Sequence, residues 1–373
     1  MGKKAAVVKI PAETNVTYPE PKCVYSPEGW RLHLGDSVQI CGDMDSESID
    51  YSVFSPPFAS LYTYTDDERD MGNCLTREEF FEHMAFLIPH LYRVTKPGRL
   101  LSFHCMNLPA SKEKDGYIGI HDFRGELIRA FQASGWIFHS EVCIWKDPVT
   151  AMQRTKAIGL LHKQVKKNRN LSRQGIADYF VTMRKPGETS EPIAGLLMEY
   201  RGDMDDEEFT KLIMAKFNGR IFDAPAPGPR PHSFSSEFQV YKSINIWQKY
   251  ASPVWMDIDP SDTLQYTHAR TAKDERHICP LQLGVIERGI ELWSNPGDLV
   301  LSPFAGIGSE GHQALKMGRR FEGVELKPEY FEWACKNLKS AESMSKQMML
   351  TKAVWVAEPI ENRKLDPEEV EAI

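Results

Sequence analysis

The sequence predicts an α/β protein, and three observations predict it. Strand-like apolar runs alternate with helical periodicities in two separate stretches, one towards each end of the 373-residue chain. Each stretch holds a strand that runs straight into a turn rich in proline or glycine, the grammar of a parallel sheet whose loops leave at its carboxyl edge. Between them lies a basic, proline-rich segment without that alternation. The boundaries read from these patterns are 24–149 for the first half, 150–271 for the middle segment, 272–341 for the second half and 342–373 for the tail, acidic from Glu358 onward. With 42% hydrophobic and 26% charged residues, the chain can bury a substantial core.

In the first half, Ile49–Phe54 reads as a short strand ended by Ser55-Pro56-Pro57-Phe58, because proline cannot donate to a ladder. Thr76 with Glu79 three residues on forms a capping box. Phe80, Met84, Leu87, Leu91 and Val94 then recur at helical spacing until Lys96-Pro97-Gly98, with Pro89 expected to kink the helix. Arg99–His104 suits a buried strand, and Phe123–Phe131 a second helix ended near Gly135. In the second half, Asp298–Leu301 reads as a strand, followed by a glycine turn and a helix through Leu315. Phe321–Leu326 is the next strand and Pro328–Leu338 the next helix. The alternation makes a parallel sheet the expectation. The prolines of 223–231 read as an extended connector.

Composition narrows the class. No stretch approaches the roughly 18 apolar residues of a membrane span, so a cytoplasmic protein without a membrane partner is expected. The seven cysteines lie far apart and form no C-x-x-C pair, which points to reduced thiols rather than a disulfide framework or zinc site, and no metal is expected. A net charge of -7 excludes a surface that attracts nucleic acid everywhere, so phosphate contacts need a local patch. Between Val149 and Ala177 the chain carries Arg154, Lys156, Lys163, Lys166, Lys167, Arg169 and Arg173 without one acidic residue. The run suits a DNA-binding surface and also a plain solvated face.

The turn Ser302-Pro303-Phe304-Ala305-Gly306-Ile307-Gly308-Ser309 sits between a buried strand and a helix, where glycine lets backbone approach a ligand closely. Many such turns hold two glycines for steric reasons alone. Glu325 adds weight: at the end of the next strand, it is placed to accept hydrogen bonds from ribose hydroxyls. Gly306, Gly308 and Gly311 match G-x-G-x-x-G formally, but Glu310 puts a negative charge at the helix start, which disfavours a pyrophosphate. A phosphate-free nucleoside cofactor is therefore favoured.

Ser55-Pro56-Pro57-Phe58 is the sharpest feature. The prolines fix the backbone so that the Ser55 hydroxyl and a main-chain carbonyl can both accept from one amino group, while Phe58 offers a face to a planar base. Stacking of that kind is worth about 1–3 kcal/mol, comparable with the cost of unstacking a base from a duplex. A plain proline turn is the competing reading.

Together the tetrapeptide, the glycine turn and Glu325 resemble those of the amino-group DNA methyltransferases, which act on cytosine N4 or adenine N6. With the tetrapeptide near the amino end and the glycine turn near the carboxyl end, the order resembles that of the permuted class called beta. The likeness runs from about Arg31 to Leu338 and includes Leu34-Gly35-Asp36 and His277-Ile278-Cys279-Pro280-Leu281-Gln282. It implies a seven-stranded Rossmann-like sheet using S-adenosylmethionine, with Ser55, Pro56, Pro57 and Phe58 catalytic. Phe304, Ala305, Gly306, Gly308 and Glu325 would bind the cofactor, Asp36 would lie near its adenine, and Pro280 and Leu281 beside its methionine end. Residues 150–271 fall where that class inserts its target-recognition region. The implied substrate is a flipped base in double-stranded DNA. Serine in the first tetrapeptide position leans towards cytosine N4 and aspartate towards adenine N6. A restriction endonuclease partner is left open.

Methylation at cytosine carbon 5 would need a cysteine in a Pro-Cys loop, and no cysteine here follows a proline. A protein or RNA methyltransferase with a related Asn-Pro-Pro-Tyr would carry its cofactor loop first, the reverse of this order. The reading from another class is a DNA-binding module without chemistry, against which Ser55 and Glu325 both stand.

Overall fold

The computed structural model describes residues 22–149, 161–197, 243–266, 269 and 280–357, apart from 28, 60–64, 66, 111, 173 and 245. The first half supplies β1 (Lys22–Ser26), β2 (Trp30–Leu34), α1 (Ser37–Asp43), β3 (Ile49–Phe54), α2 (Arg77–Val94) and β4 (Thr95–Met106). A small hairpin follows, β5 (Leu108–Ala110) and β6 (Gly119–His121) flanking the one-turn α3 (Lys112–Asp115), and then α4 (Phe123–Ala133) and β7 (Ile137–Ile144). The middle segment supplies α5 (His162–Lys167), β8 (Asp178–Arg184) and β9 (Val254–Trp255). The second half supplies α6 (Leu283–Trp293), β10 (Leu299–Ser302), α7 (Ser309–Lys316), β11 (Arg320–Glu325) and α8 (Pro328–Ala357).

Nine of these strands form one sheet among the described residues, in the order β1-β2-β11-β10-β3-β4-β8-β7-β9, and β5 pairs with β6 in a separate hairpin. The five from β2 to β4 are parallel. β8 runs antiparallel to both of its neighbours, β4 and β7. The sheet is therefore mixed rather than wholly parallel. It also exceeds the seven strands expected, because β1 folds back on β2 at one edge and the two-residue β9 extends the other. β8 lies inside the segment bounded as 150–271, so the sheet reaches into the middle segment. A return strand entering from a long connection leaves no alternating pattern to reveal it.

Helices cover both faces. On β3 and β4, Ile49, Phe54, Leu101, Phe103 and Cys105 pack in one core with α2 and α4, while Tyr51, Val53 and Leu100 pack in the other with α6, α7 and α8. This is the two-sided burial of a central parallel strand. Thr76 caps α2 by accepting from the Glu79 amide, as expected, and the Glu79 carboxylate accepts from the Leu75 amide. α2 continues through Pro89 as one helix. β4 begins at Thr95, earlier than its apolar run: Thr95 pairs with Ile49 of β3, and beyond the end of β8 Gly98 N–H donates to Lys185 O and Lys185 N–H to Arg99 O. α8 runs past Leu338 to Ala357, into the tail segment.

The two halves meet where β2 pairs with β11 and, at the centre of the sheet, where β3 pairs with β10, Val300 opposite Tyr51 and Leu301 opposite Ser52. Beneath this junction the buried Arg99 guanidinium lies 2.9 Å from Asp298 and 3.6 Å from Asp50. Asp50 also takes Lys96 at 2.6 Å and accepts from the Leu299 amide at 2.9 Å. Removing one member of such a cluster leaves its partners buried and unneutralised, at a cost of about 3–5 kcal/mol. Arg99→Met is accordingly expected to lower unfolding stability by about that amount in urea titration, and a loss under about 1 kcal/mol would show that the cluster does not hold the halves together.

Candidate active site

Three loops converge at the carboxyl edge of the sheet. The Gly35 amide, after β2, donates to the Glu325 carbonyl at 2.9 Å, and the Ser37 hydroxyl donates to the Pro303 carbonyl at 2.5 Å. The Ala305 amide donates to Val324 O at 2.8 Å. Gly306 at φ 54° and Gly308 at φ 87° take left-handed backbone to turn β10 into α7, which glycine adopts without strain. At Gly308 an added Cβ would lie 3.2 Å from the backbone of Ala334, so both conformation and space demand glycine there.

The Glu325 carboxylate accepts from the Gly306 amide at 2.7 Å and from the Lys327 amide at 2.8 Å, one bond to each oxygen. Each oxygen keeps a lone pair for a further donor. Burial pushes this carboxyl up to about 7. Glu310, at the start of α7, is pushed up to about 8 by burial and by the neighbouring Glu325. It is thus held largely protonated at neutral pH, which corrects the expectation of a negative charge at this helix start. What a phosphate would meet is a buried, mostly neutral carboxyl.

The other cofactor candidates fall around this loop or at elements that lead into it. Asp36 caps α1 by accepting from the Val38 amide at 3.1 Å. Pro280 and the buried Leu281 lead into α6, whose Gly289 packs against Tyr51 and Phe180. Phe304 packs on Phe54 with ring centroids 5.8 Å apart, so the glycine turn touches the strand that carries the tetrapeptide. His277, Ile278 and Cys279 lie outside the described residues.

β3 delivers the tetrapeptide beside β10. Pro56 and Pro57 are buried, while Ser55 and Phe58 are half-buried. The Phe58 ring stands 6.0 Å from the ring of His104 and edge-on to Phe123 at 6.4 Å. The Ser55 hydroxyl lies 3.2 Å from His104 Nδ1. On the ring's far side, His104 Nε2 is 3.0 Å from Asp178 Oδ2, and Lys146 Nζ reaches the same oxygen at 2.5 Å. Burial alone would push the Asp178 carboxyl up, but its contacts with His104 and Lys146 outweigh it and hold it below the ordinary carboxylate range.

Sequence reasoning misses His104, Lys146 and Asp178. They come from three different strand ends, and the one available signal is a histidine closing an apolar strand. Of the basic residues, Lys163, Lys166 and Lys167 are exposed or nearly so on α5, and Arg169 is exposed in the turn after it. β7 runs parallel to β4, so the connection holding α5 leaves the sheet at the edge that carries Ser55. Arg154, Lys156 and Arg173 lie outside the described residues. Among the described residues no helix is long and apolar enough to cross a membrane, and no cluster of His, Cys, Asp or Glu is placed to hold a metal ion.

Residues 49–336 match the family model described as DNA methylase, which joins N6 and N4 methyltransferases. The DNA adenine methyltransferase YhdJ of Escherichia coli (strain K12) is 35% identical over 88 residues, covering 23% of this chain and only 30% of that relative. The type II methyltransferase M.BglI of Bacillus subtilis is 22% identical over 325 residues, covering 83% of this chain and 85% of the relative. Among solved structures, a protein described as a DNA modification methylase from Thermus thermophilus, complexed with S-adenosyl-L-methionine, aligns with a TM-score of 0.52 at 18% identity, covering 83% of this chain and 95% of that one. The cytosine-N4-specific PvuII DNA methyltransferase aligns with a TM-score of 0.51 at 15% identity, covering 86% and 93%. At these identities the structures show a shared fold.

The two raised carboxyls make stability depend on pH. A free glutamate titrates near 4.5, whereas Glu310 in the folded protein does so at about 8. The folded state therefore holds an extra proton between those values, and stability falls as pH rises through that window. Glu310→Gln removes this term, so the variant's stability relative to the parent should climb from about pH 5 to about pH 9 in denaturant titrations. A difference that stays flat across that range would mean that Glu310 is ionised when folded.

Proposed function

The chain belongs to the DNA methylase family, matched over residues 49–336, and from that premise we propose that its target is the N4 amino group of a flipped cytosine in duplex DNA. The observation that carries the reading is the adjacency of β3 and β10, which leaves Ser55–Phe58 and the glycine turn side by side at one sheet edge. The strand order reverses direction there: β3 leads outward to β4 and β10 leads the other way to β11. Ligands of open α/β sheets bind at such a switch point.

The residues present suit S-adenosylmethionine. Space lies open over Gly306, where an added Cβ would meet nothing within 4 Å, and Glu325 keeps lone pairs for ribose hydroxyls. Bound there, S-adenosylmethionine supplies a sulfonium methyl that the base amino nitrogen takes by direct displacement. An exocyclic amino group conjugated with its ring is a poor nucleophile. Accepting its two hydrogens at the Ser55 hydroxyl and the Pro56 carbonyl favours a more tetrahedral nitrogen and disperses the charge that develops on it. Phe58 offers its face to the extruded base and offsets part of the flipping cost. The exposed lysines of α5, at the same edge, suit phosphate contacts in a region that would read the target sequence. An enzyme acting on DNA works in the compartment that holds it, taken here as the cytoplasm.

Serine at the head of the tetrapeptide supports cytosine. Adenine N6 is the second reading, favoured by the partial likeness to a DNA adenine methyltransferase. Digesting DNA methylated by the protein to nucleosides, followed by mass spectrometry, is expected to yield N4-methylcytosine. N6-methyladenine as the sole product would overturn the cytosine assignment. Neutralising Lys166 and Lys167 together should lower the slope of log affinity against log salt by about 2. An unchanged slope would assign both lysines to a solvent face.

A further inference from the structure

Beneath the tetrapeptide sit a buried acid and base, with a partly exposed cation beside them, that the transfer described above does not use. Asp178 is 2% exposed, and among the described residues its Oδ1 has no hydrogen-bond partner. Stripping a carboxylate of water costs several kcal/mol, and Asp178 does not repay that by fastening strands. The ladder already does so, pairing Asp178 with Met106 on one side and Ile144 on the other. Its charge is spent instead on two groups, Lys146 and the inner nitrogen of His104, whose outer nitrogen faces the Ser55 hydroxyl at 3.2 Å.

We propose that His104 is a positioning residue that makes Ser55 a proton acceptor for the target amino group, with Asp178 and Lys146 setting its charge balance. The proposal rests on the amino-group transfer inferred above. In the neutral tautomer that places the proton on Nε2, facing Asp178, Nδ1 is the acceptor. The Ser55 O–H then donates to Nδ1, which turns the serine lone pairs towards the base. Once the amino nitrogen has gained the methyl it bears a positive charge and one proton too many. That proton passes to Ser55 Oγ while the Ser55 proton passes to His104 Nδ1. The products are a neutral methylamino base, an unchanged serine and an imidazolium, which then releases its proton to solvent.

The surroundings match the two charge states. At rest Lys146 balances Asp178, so the neutral imidazole leaves no net charge in the pocket. When the imidazolium forms, Asp178 Oδ2 is already 3.0 Å from Nε2, a contact between charges rather than an aligned hydrogen bond. The next charged groups outward, Arg124 of α4 and Glu141 of β7, pair with each other at 3.2 Å. Ser55 and Phe58, both uncharged, lie against the imidazole on its outer side. A histidine that merely filled space there would need neither the buried acid nor the lysine.

The test is the single-turnover rate of methyl transfer to DNA across pH, with cofactor affinity measured in parallel, for the parent enzyme, His104→Gln and His104→Ala. The parent rate is expected to rise with pH to a plateau. His104→Gln can still engage the serine hydroxyl but cannot take its proton, and should lose about 100-fold in rate along with the pH dependence. Cofactor affinity should stay within about threefold, and added imidazole should restore part of the His104→Ala rate. A His104→Gln enzyme with the parent's rate or pH profile would overturn the relay, as would a rate loss matched by an equal loss of cofactor affinity. Absence of methyl transfer by the parent to any DNA would refute the function itself, whereas an active parent with an indifferent His104 refutes the relay alone.

Discussion

The parallel pairing of β3 with β10 is the constraint on which the rest depends. It joins Asp50 to Leu299, 249 residues apart in sequence, and no local preference can enforce a contact of that range. Closing so long a loop is entropically costly and slow, so the junction is secured on both sides. Towards the amino edge Arg99 gathers Asp298 and Asp50 in a buried charge cluster. Towards the carboxyl edge Phe54 and Phe304 pack together. Once the pairing forms, the loops after the two strands must lie side by side, and the site exists as a consequence of sheet order rather than of any loop's own conformation.

That placement divides the site electrostatically. Beside the glycine turn stand Glu325 and Glu310, both pushed upward by burial, so that this acidic corner carries less charge than its composition suggests. Beside the tetrapeptide stand an uncharged serine, a phenylalanine and a histidine, with acid and cation behind them. Outside lie the lysines of α5. In the proposed function a chain of net charge -7 would approach a polyanion through such a local patch of positive charge.

How much of this is legible in the sequence follows from the range of the interactions. Ile49–Phe54, the capped helix after Thr76 and the strand–turn–helix around Gly306 and Gly308 declare themselves through contiguous residues. Their backbone conformations are dictated locally, and they stand where the sequence puts them. The tetrapeptide and Glu325 are legible because each ends a strand. β8 is not, since its residues lie in a segment whose composition suggests an irregular insertion and its partners are β4 and β7. The sequence misleads on the charge of Glu310 because ionisation depends on burial, which no spacing reports. His104, Lys146 and Asp178 escape for the reason that makes them informative, as only the fold brings His104 and Lys146 within 3.0 Å of Asp178.

The identity of the first tetrapeptide residue then acquires a physical meaning. An aspartate there would accept a hydrogen from the amino group and answer the developing positive charge with its own. Serine can accept the hydrogen but holds no charge. In this chain a carboxylate is nevertheless present, set back by one imidazole ring: Ser55 contacts His104, and His104 contacts Asp178. In the proposed site the negative charge of an aspartate-headed tetrapeptide is set back from the base rather than removed. There a neutral hydroxyl would tolerate the carbonyl oxygen and ring nitrogen of a cytosine edge, where a carboxylate would repel both. Lys146 holds the set-back carboxylate at 2.5 Å.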